Sequence, residues 1–330
     1  MTEKANIVVI GTGGTIAGQG KAANNTSAYV CSVLHIDDIL GTIPHASALA
    51  SLRAQQLLQT GSENFSNEHL LEIGKSVSRM LARDDVDGAV IAHGTDTIEE
   101  TAYFLHLTLK STKPVVVVGS MRPPSAMSSD AAVNLYDAIA VAAHPSSRGI
   151  GTLVVANNEI HSARDVMKGN SFKIEAFRSP YGPLGYVIEG QPRYYRHPSR
   201  AHTLATSWSI ETLALLPRVD IVYAYGALEP EAVSAVVART QGLIYAGTGN
   251  GNVAAHLIQA LRDAVGRGVH VVRASRTGSG IVLRNGAQPD DAYGWLTVED
   301  QIPSKARILL TLALTQTDDL QTLQTVFERY

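Results

Sequence analysis

Three short segments of the sequence combine glycine with hydroxyl side chains that could do chemistry: residues 11–18 (GTGGTIAG), 93–97 (HGTDT) and 119–123 (GSMRP). The first two contain Thr15 and Thr95. A threonine hydroxyl attacks a carbonyl carbon only when a neighbouring base accepts its proton. Lysine can be that base where burial favours its neutral form, and Lys168 is a candidate because it lies shortly after another apolar run.

The elements that must position these residues are short apolar runs, most of them rich in β-branched residues. Continuous apolarity over so few residues is typical of parallel strands buried on both faces. A helical pattern covers residues 67–81, Thr97 and Glu100 form a capping-box pattern, and Pro230 suits the first turn of another helix. The runs that predict strands are 7–10, 89–92, 115–118, 153–155, 221–223, 243–246 and 269–272.

This alternation of strands and helices predicts an α/β fold with two doubly wound domains and largely parallel sheets. Residues 190–218 interrupt the alternation, since they contain three prolines and no clear strand. We therefore expect a larger N-terminal catalytic domain over residues 1–190, a linker over 191–218 and a smaller C-terminal domain over 219–330. A chain of 330 residues is also long enough for two domains.

The glycine and hydroxyl segments all follow predicted strands, which places them at one edge of the sheet. Ligands of open α/β sheets bind at that edge, beyond the carboxyl ends of the strands. Hydroxyls, the carboxylate of Asp96 and free backbone amides are therefore expected to converge there. A simpler interpretation of Thr95 and Asp96 is that they only cap the following helix.

Other motifs that bind nucleotides or hydrolyse esters are absent from the sequence. The dinucleotide pattern GxGxxG that starts at Gly11 requires a third glycine where the chain has Ile16. There is no GxxxxGK[ST] phosphate loop, because the Gly-Lys-Ser at residues 74–76 has His69 where that motif requires a glycine. There is also no GxSxG nucleophile turn and no HExxH metal motif. Nucleotide, serine-hydrolase and zinc-protease chemistry are therefore disfavoured.

Composition narrows the remaining classes of function. The net charge is −3 with dispersed lysine and arginine, which disfavours nucleic acid as a partner. No apolar stretch approaches the roughly 20 residues of a membrane span. No leader is visible, so we expect a cytoplasmic protein, or a periplasmic one if a signal peptide has been removed. Cys31 is the only cysteine, which excludes an internal disulfide, and we expect a half-buried structural thiol.

Residues 12–18 (TGGTIAG) and 93–104 (HGTDTIEETAYF) resemble the two signature motifs of bacterial L-asparaginases. Residues 121–123 (MRP), 181–185 (YGPLG) and 312–315 (LALT) extend the resemblance over essentially the whole chain. It is closest to the type II enzymes, including those that accept glutamine. The resemblance implies hydrolysis of L-asparagine to L-aspartate and ammonia through an acyl-threonine, secondary L-glutaminase activity, and no metal or organic cofactor.

The resemblance also assigns catalytic roles. Thr15 is similar to the family's nucleophile, and Tyr29 falls where the family keeps a tyrosine on a mobile loop that closes over the substrate. Thr95, Asp96 and Lys168 resemble a second cluster, in which the lysine, held by the acid, polarises the threonine and then the attacking water. Backbone amides near Thr95 would stabilise the oxyanion.

Substrate-binding residues follow from the same resemblance. Ser62 and Glu63 match the segment that grips the α-carboxylate and α-ammonium groups, and Asp96 contributes to the ammonium side. Ser120 lies where the family holds the leaving amide with backbone groups, and Asn250 resembles a residue that a neighbouring subunit contributes. Many asparagine-selective relatives carry glutamine in place of Glu63, so the glutamate here predicts measurable glutaminase activity.

The resemblance implies a homotetramer built as a dimer of dimers, in which a neighbouring subunit supplies an acid near the tyrosine. No acid of this sequence aligns securely with the acid that the neighbouring subunit supplies. Either Gln288 takes its place, or Asp290 is the acid. The cysteine pair of some periplasmic members is missing. Two other functions stay open: a non-catalytic amino-acid sensor that uses the same pocket, and an amidotransferase-type subunit. Such subunits carry added RNA-contacting domains, for which 330 residues leave no room.

Overall fold

The computed structural model of the chain describes residues 4–330. Its internal contacts divide the chain into two compact units, one that ends at Thr212 and one from Leu213 to Tyr330. Each unit contains a largely parallel sheet with helices, which confirms the predicted fold class. Within residues 4–330, no helix is long and apolar enough to cross a bilayer.

In chain order the strands of the first unit are β1 Asn6–Gly11, β2 Gln19–Gly20, β3 Tyr29–Val30, β4 Ser51–Gln56, β5 Gly88–Ala92, β6 Val115–Val118, β7 Thr152–Ala156, β8 Glu159–Ser162, β9 Met167–Lys168, β10 Phe177–Arg178, β11 Gly185–Ile188 and β12 Gln191–Tyr194. The unit is built on an eight-stranded sheet with the order β12-β11-β8-β7-β6-β5-β1-β4. The strands from β4 to β7 in this order run parallel, and β8, β11 and β12 extend the sheet through antiparallel pairs.

Four α-helices pack with this sheet: α1 Ile36–Gly41, α2 Asn67–Leu81, α3 Ile98–Thr108 and α4 Ala131–Ala143. The helix predicted over residues 67–81 is confirmed, and its buried positions include Leu70, Ile73 and Val77 at the helical spacing of one apolar face. The central strands β5, β6 and β7 are buried at every residue, as expected for strands covered on both faces.

The elements of the second unit are β13 Val219–Tyr223, α5 Pro230–Val237, β14 Gly242–Gly247, α6 Ile258–Gly266, β15 His270–Ser275, α7 Asp290–Tyr293, β16 Leu296–Thr297, α8 Pro303–Ala313 and α9 Leu320–Arg329. Its four strands form a parallel sheet with the order β13-β14-β15-β16. The core of this unit includes Trp295, Tyr245 and the buried side of α6.

Two sequence-based expectations are corrected by the fold. Residues 190–218 do contain a strand, because β12 lies inside the predicted linker and pairs with β11. The boundary between the two compact units lies between residues 212 and 213. The predicted domain limits at residues 190 and 219 remain predictions. The capping box at Thr97 is also wrong: α3 begins after Thr97, but the threonine makes no capping bond and its hydroxyl donates to the carbonyl oxygen of Ser62.

Candidate active site

A polar pocket of about 260 Å³ lies in the first unit, at the carboxyl ends of three neighbouring parallel strands. The segments that follow β1, β4 and β5 each contribute to it, together with the segment around β3. Its lining residues are Gly14, Thr15, Ser27, Tyr29, Cys31, Gly61, Ser62, Glu63, Gly94, Thr95 and Asp96.

Glycine at position 14 allows the loops after β1 and β5 to meet backbone against backbone. Gly14 has a φ of 85°, in the left-handed region, and a Cβ atom built there would lie 2.2 Å from the Cα of Gly94. Only glycine combines that φ with that approach without strain. The contact brings the loop of Thr15 beside the loop of Thr95.

The hydroxyl of Thr15 is hydrogen-bonded to the phenol of Tyr29, with 2.7 Å between Oγ1 and the phenolic oxygen. Tyr29 lies in β3, which pairs with β2 in a two-stranded ribbon. Two further hydrogen bonds hold the segment that contains β2 and β3: the amide of Gly14 donates to Ser32 Oγ, and the amide of Gly20 donates to Ser125 Oγ. The phenol is therefore placed to exchange a proton with Thr15.

A second hydroxyl cluster is formed by Thr95, Asp96 and Lys168. The Lys168 Nζ atom donates to Thr95 Oγ1 at 2.8 Å and to Asp96 Oδ1 at 2.5 Å. The Lys168 side chain is 18% exposed and that of Asp96 is 58% exposed, while Thr95 is buried. The amine is thus held against a buried hydroxyl by a carboxylate that also lines the pocket.

Glu99 was not singled out as a site residue from the sequence, although it touches this cluster. Its Oε2 atom accepts a hydrogen bond from the backbone amide of Lys168 at 2.7 Å. Glu99 lies within residues 93–104, but a carboxylate in the first turn of a helix is too common to indicate such a contact.

Ser62 and Glu63 begin a short 3-10 helix, Ser62–Asn64, after β4. Ser62 is buried, and its Oγ atom accepts from the backbone amide of Thr97 at 3.3 Å. Glu63 is exposed, and its Oε1 atom accepts from Asn64 Nδ2 at 3.1 Å. Glu63 and Asp96 therefore place two carboxylates on one pocket.

Among the described residues, 4–330, Ser120 is not one of those that line this pocket. It is buried, and its hydroxyl donates to the carbonyl oxygen of Arg122 at 2.8 Å. Asn250 belongs to the second unit, where its amide group binds the backbone of Ile281 and of Leu283. The side chains of Ser120 and Asn250 are thus occupied by bonds within their own units.

Gln288 and Asp290, the two candidates for the position of the neighbouring subunit's acid, differ in exposure. Asp290 is fully buried and forms a bidentate ion pair with Arg273, at 2.5 and 2.7 Å. An acid that is buried in this way cannot be presented to another subunit, so the alternative of Asp290 is wrong. Gln288 is partly exposed, with its Nε2 atom 3.3 Å from the carbonyl oxygen of Val253.

Cys31 is exposed and lines the pocket. The expectation of a half-buried structural thiol is therefore wrong, because the residues after β3 pass the mouth of the pocket instead of packing into the core.

His93 follows strand β5 directly, but its side chain does not line the pocket. It is fully buried, with Nδ1 bonded to the carbonyl oxygen of Gly94 and Nε2 to the hydroxyl of Thr101, and burial lowers the pKa of the imidazole to about 4.

Comparison with known proteins identifies relatives over the whole chain. The family model described as Asparaginase, N-terminal, matches residues 6–200, and the Glutaminase/Asparaginase C-terminal domain matches residues 218–327. The chain is 46% identical to a glutaminase-asparaginase of Pseudomonas fluorescens biotype A, covering 100% of this chain and 91% of that protein. It is 40% identical to L-asparaginase 2 of Escherichia coli (strain K12), covering 98% and 93%.

A solved structure is similar to the fold as a whole. The crystal structure of a probable cytoplasmic L-asparaginase from Campylobacter jejuni matches with a TM-score of 0.96 and 38% sequence identity. The match covers 99% of this chain and 100% of that chain.

Proposed function

The chain belongs to the asparaginase family, and on the geometry of its site we propose that it hydrolyses L-asparagine to L-aspartate and ammonia, with L-glutamine as a second substrate. The family models over both parts of the chain confirm the resemblance that the two threonine motifs carry. One observation carries the proposal: two threonine hydroxyls line one pocket, and each is hydrogen-bonded to a different polar side chain, Thr15 to Tyr29 and Thr95 to Lys168.

In the first step, Thr15 Oγ1 attacks the side-chain amide carbon of the substrate. The hydroxyl proton passes through the phenol of Tyr29 to the leaving nitrogen, so that ammonia departs and an ester to Thr15 remains. The 2.7 Å contact between Thr15 and Tyr29 supports this route, because proton transfer requires hydrogen-bond reach. Backbone amides near Thr95 are suited to stabilise the oxyanion.

In the second step, water attacks the ester and releases the product acid and the Thr15 hydroxyl. Thr95 activates this water, and Lys168, held by Asp96, polarises the threonine hydroxyl. One proton of the water passes to Thr15 Oγ1 as the ester bond breaks. The 2.8 Å contact of the amine with Thr95 and its ion pair with Asp96 support the assignment. Water is the only co-reactant needed for atoms and protons to balance.

The substrate's α-groups are bound by the acids and backbone amides of the same pocket. Glu63 and Asp96 face the pocket as carboxylates and suit an α-ammonium group, while the segment around Ser62 suits the α-carboxylate. A pocket that pairs acids with amides in this way selects α-amino acids. Ser120 is proposed to act through its backbone only, because its hydroxyl is bonded to the Arg122 carbonyl oxygen.

Ammonia release from L-asparagine and L-glutamine by the purified protein tests this function. We expect release from both amides by the wild type, and a fall in the glutamine-to-asparagine ratio for Glu63→Gln of about fivefold or more, since one pocket contact changes discrimination by about 1–3 kcal/mol. Asp84→Asn is the matched control, since it removes an exposed acid and should leave the ratio unchanged. No ammonia from either amide would refute the proposed function.

The proposal extends to a homotetramer, a dimer of dimers, in which Asn250 and Gln288 of the second unit reach the neighbouring subunit's site. Its support is the resemblance to the family together with the partial exposure of both Gln288 and Asn250. The chain's own pocket would then be complete only in the assembly.

A further inference from the structure

Lys168 sits on a strand that is too short to fix its own position. Strand β9 consists of Met167 and Lys168 alone, and it pairs with β10 in a separate two-stranded sheet. An isolated two-stranded hairpin is only marginally stable in water. The lysine that must reach Thr95 therefore depends on contacts outside its own sheet.

The contact that serves this purpose is with the start of α3. The Lys168 backbone amide donates to Glu99 Oε2 at 2.7 Å, while its Nζ atom binds Thr95 and Asp96. Thr95 and Asp96 immediately precede α3, and Glu99 lies in its first turn. Lys168 is thus attached to one short stretch of chain at two points, its backbone and its amine.

A carboxylate suits this position for two reasons. Hydrogen bonds to ionised acceptors are roughly twice as strong as those between neutral groups. The first turn of a helix also favours a negative charge, because the unpaired amides there carry partial positive charge. The same turn that stabilises the charge of Glu99 therefore anchors the strand that carries the catalytic amine.

We propose that Glu99 is a positioning residue: it holds the Lys168 backbone so that the amine reaches both Thr95 Oγ1 and Asp96 Oδ1. This inference rests on the proposed function of Lys168. Glu99 acts through Lys168 and does not itself touch the reacting atoms. Its removal should consequently slow the chemical steps more than it weakens substrate binding.

The experiment compares Glu99→Ala, Glu99→Gln and the control Glu175→Ala, which removes an exposed glutamate close to β10. For L-asparagine we expect kcat of Glu99→Ala to fall about 10–100-fold with KM changed less than about threefold, because small misplacements of a catalytic group cost rates of that order. Glu99→Gln keeps an acceptor oxygen and should recover about tenfold of the loss. The control should match the wild type.

Hydrogen exchange of the Lys168 amide, followed by NMR or mass spectrometry, measures the tether without relying on activity. We expect exchange at least about tenfold faster in Glu99→Ala, with the amides of the α2 core unchanged, since a lost hydrogen bond exposes that amide to local opening. Unchanged exchange at Lys168 would overturn the proposal, as would an unchanged kcat. Equal loss of kcat in both Glu99 variants together with general loss of protection would assign Glu99 a merely structural role, and that also overturns it.

The two possible failures are distinguishable. If the wild type releases no ammonia, the proposed function fails, while faster Lys168 exchange in Glu99→Ala would still support the tether. If the wild type is active and Lys168→Ala is not, but Glu99→Ala equals the wild type, only the positioning role fails.

Discussion

The two threonines of the site have different surroundings, and this difference supports the separate roles that we propose for them. Thr15 is partly exposed and meets a phenol, whereas Thr95 is buried and meets an amine. A partly exposed hydroxyl on a glycine loop is suited to attack a substrate that enters from solvent. A buried hydroxyl beside an amine is better suited to pass a proton to or from a bound water.

Burial of Asp137 makes the stability of the protein depend on pH. Burial raises the pKa of this carboxyl to about 6 from an ordinary 3.8, against a smaller opposing effect of the hydrogen bond from Asn158. A carboxyl with a raised folded-state pKa contributes its full stability below about 4 and loses it as the pH rises through about 6.

Asp137→Asn is therefore expected to be more stable than the wild type at pH 8, by about 1–3 kcal/mol, and to show no such gain at pH 4. The asparagine keeps an acceptor for Asn158 without a charge to bury. Urea unfolding of both proteins at the two pH values measures the difference, with Asp84→Asn as the exposed control. A gain that is equal at both pH values, or a loss at pH 8, would show that burial of the charge is not the cause.

Several site residues could be predicted because they follow strands directly. Thr15 and Thr95 come within four residues of β1 and β5, so the rule for parallel sheets places them at one edge. The contact between Glu99 and Lys168 could not be predicted, since it joins residues 69 apart in the sequence. The buried pair of Arg273 and Asp290 is similar: each residue alone has the appearance of a surface charge.

At the scale of elements, strands buried on both faces were predictable and edge strands were not. The parallel strands β5, β6 and β7 are continuous apolar runs, which can be recognised in the sequence. Strand β4 is polar and largely exposed or half-buried, and β12 contains Pro192, which an edge strand tolerates because one side needs no hydrogen bonds. Their sequences therefore resemble loops.

The turn after β5 shows how tertiary contacts override local patterns. Thr97 precedes α3 as the capping pattern requires, yet its hydroxyl donates to Ser62 after β4. The bond joins two segments that line the same pocket. The local pattern predicts that Thr97 caps α3, but in the folded chain its hydroxyl links two segments of the site.

At the scale of the whole molecule, activity is expected to depend on assembly. If Asn250 and Gln288 complete a neighbouring subunit's site, specific activity should fall at concentrations where the oligomer dissociates, because mass action removes those residues from the site. Analytical ultracentrifugation across a dilution series, with activity measured on the same samples, tests this expectation. A dilute monomer with full activity would contradict it.

The ester of the first step is the intermediate on which the proposed mechanism depends. Rapid acid quenching of the protein with L-asparagine, followed by peptide mass spectrometry, locates that ester directly. We expect one aspartyl group on the peptide that contains Thr15, none on the peptide that contains Thr95, and no modified peptide from Thr15→Ala. An aspartyl group on Thr95, or undiminished ammonia release by Thr15→Ala, would contradict Thr15 as the nucleophile.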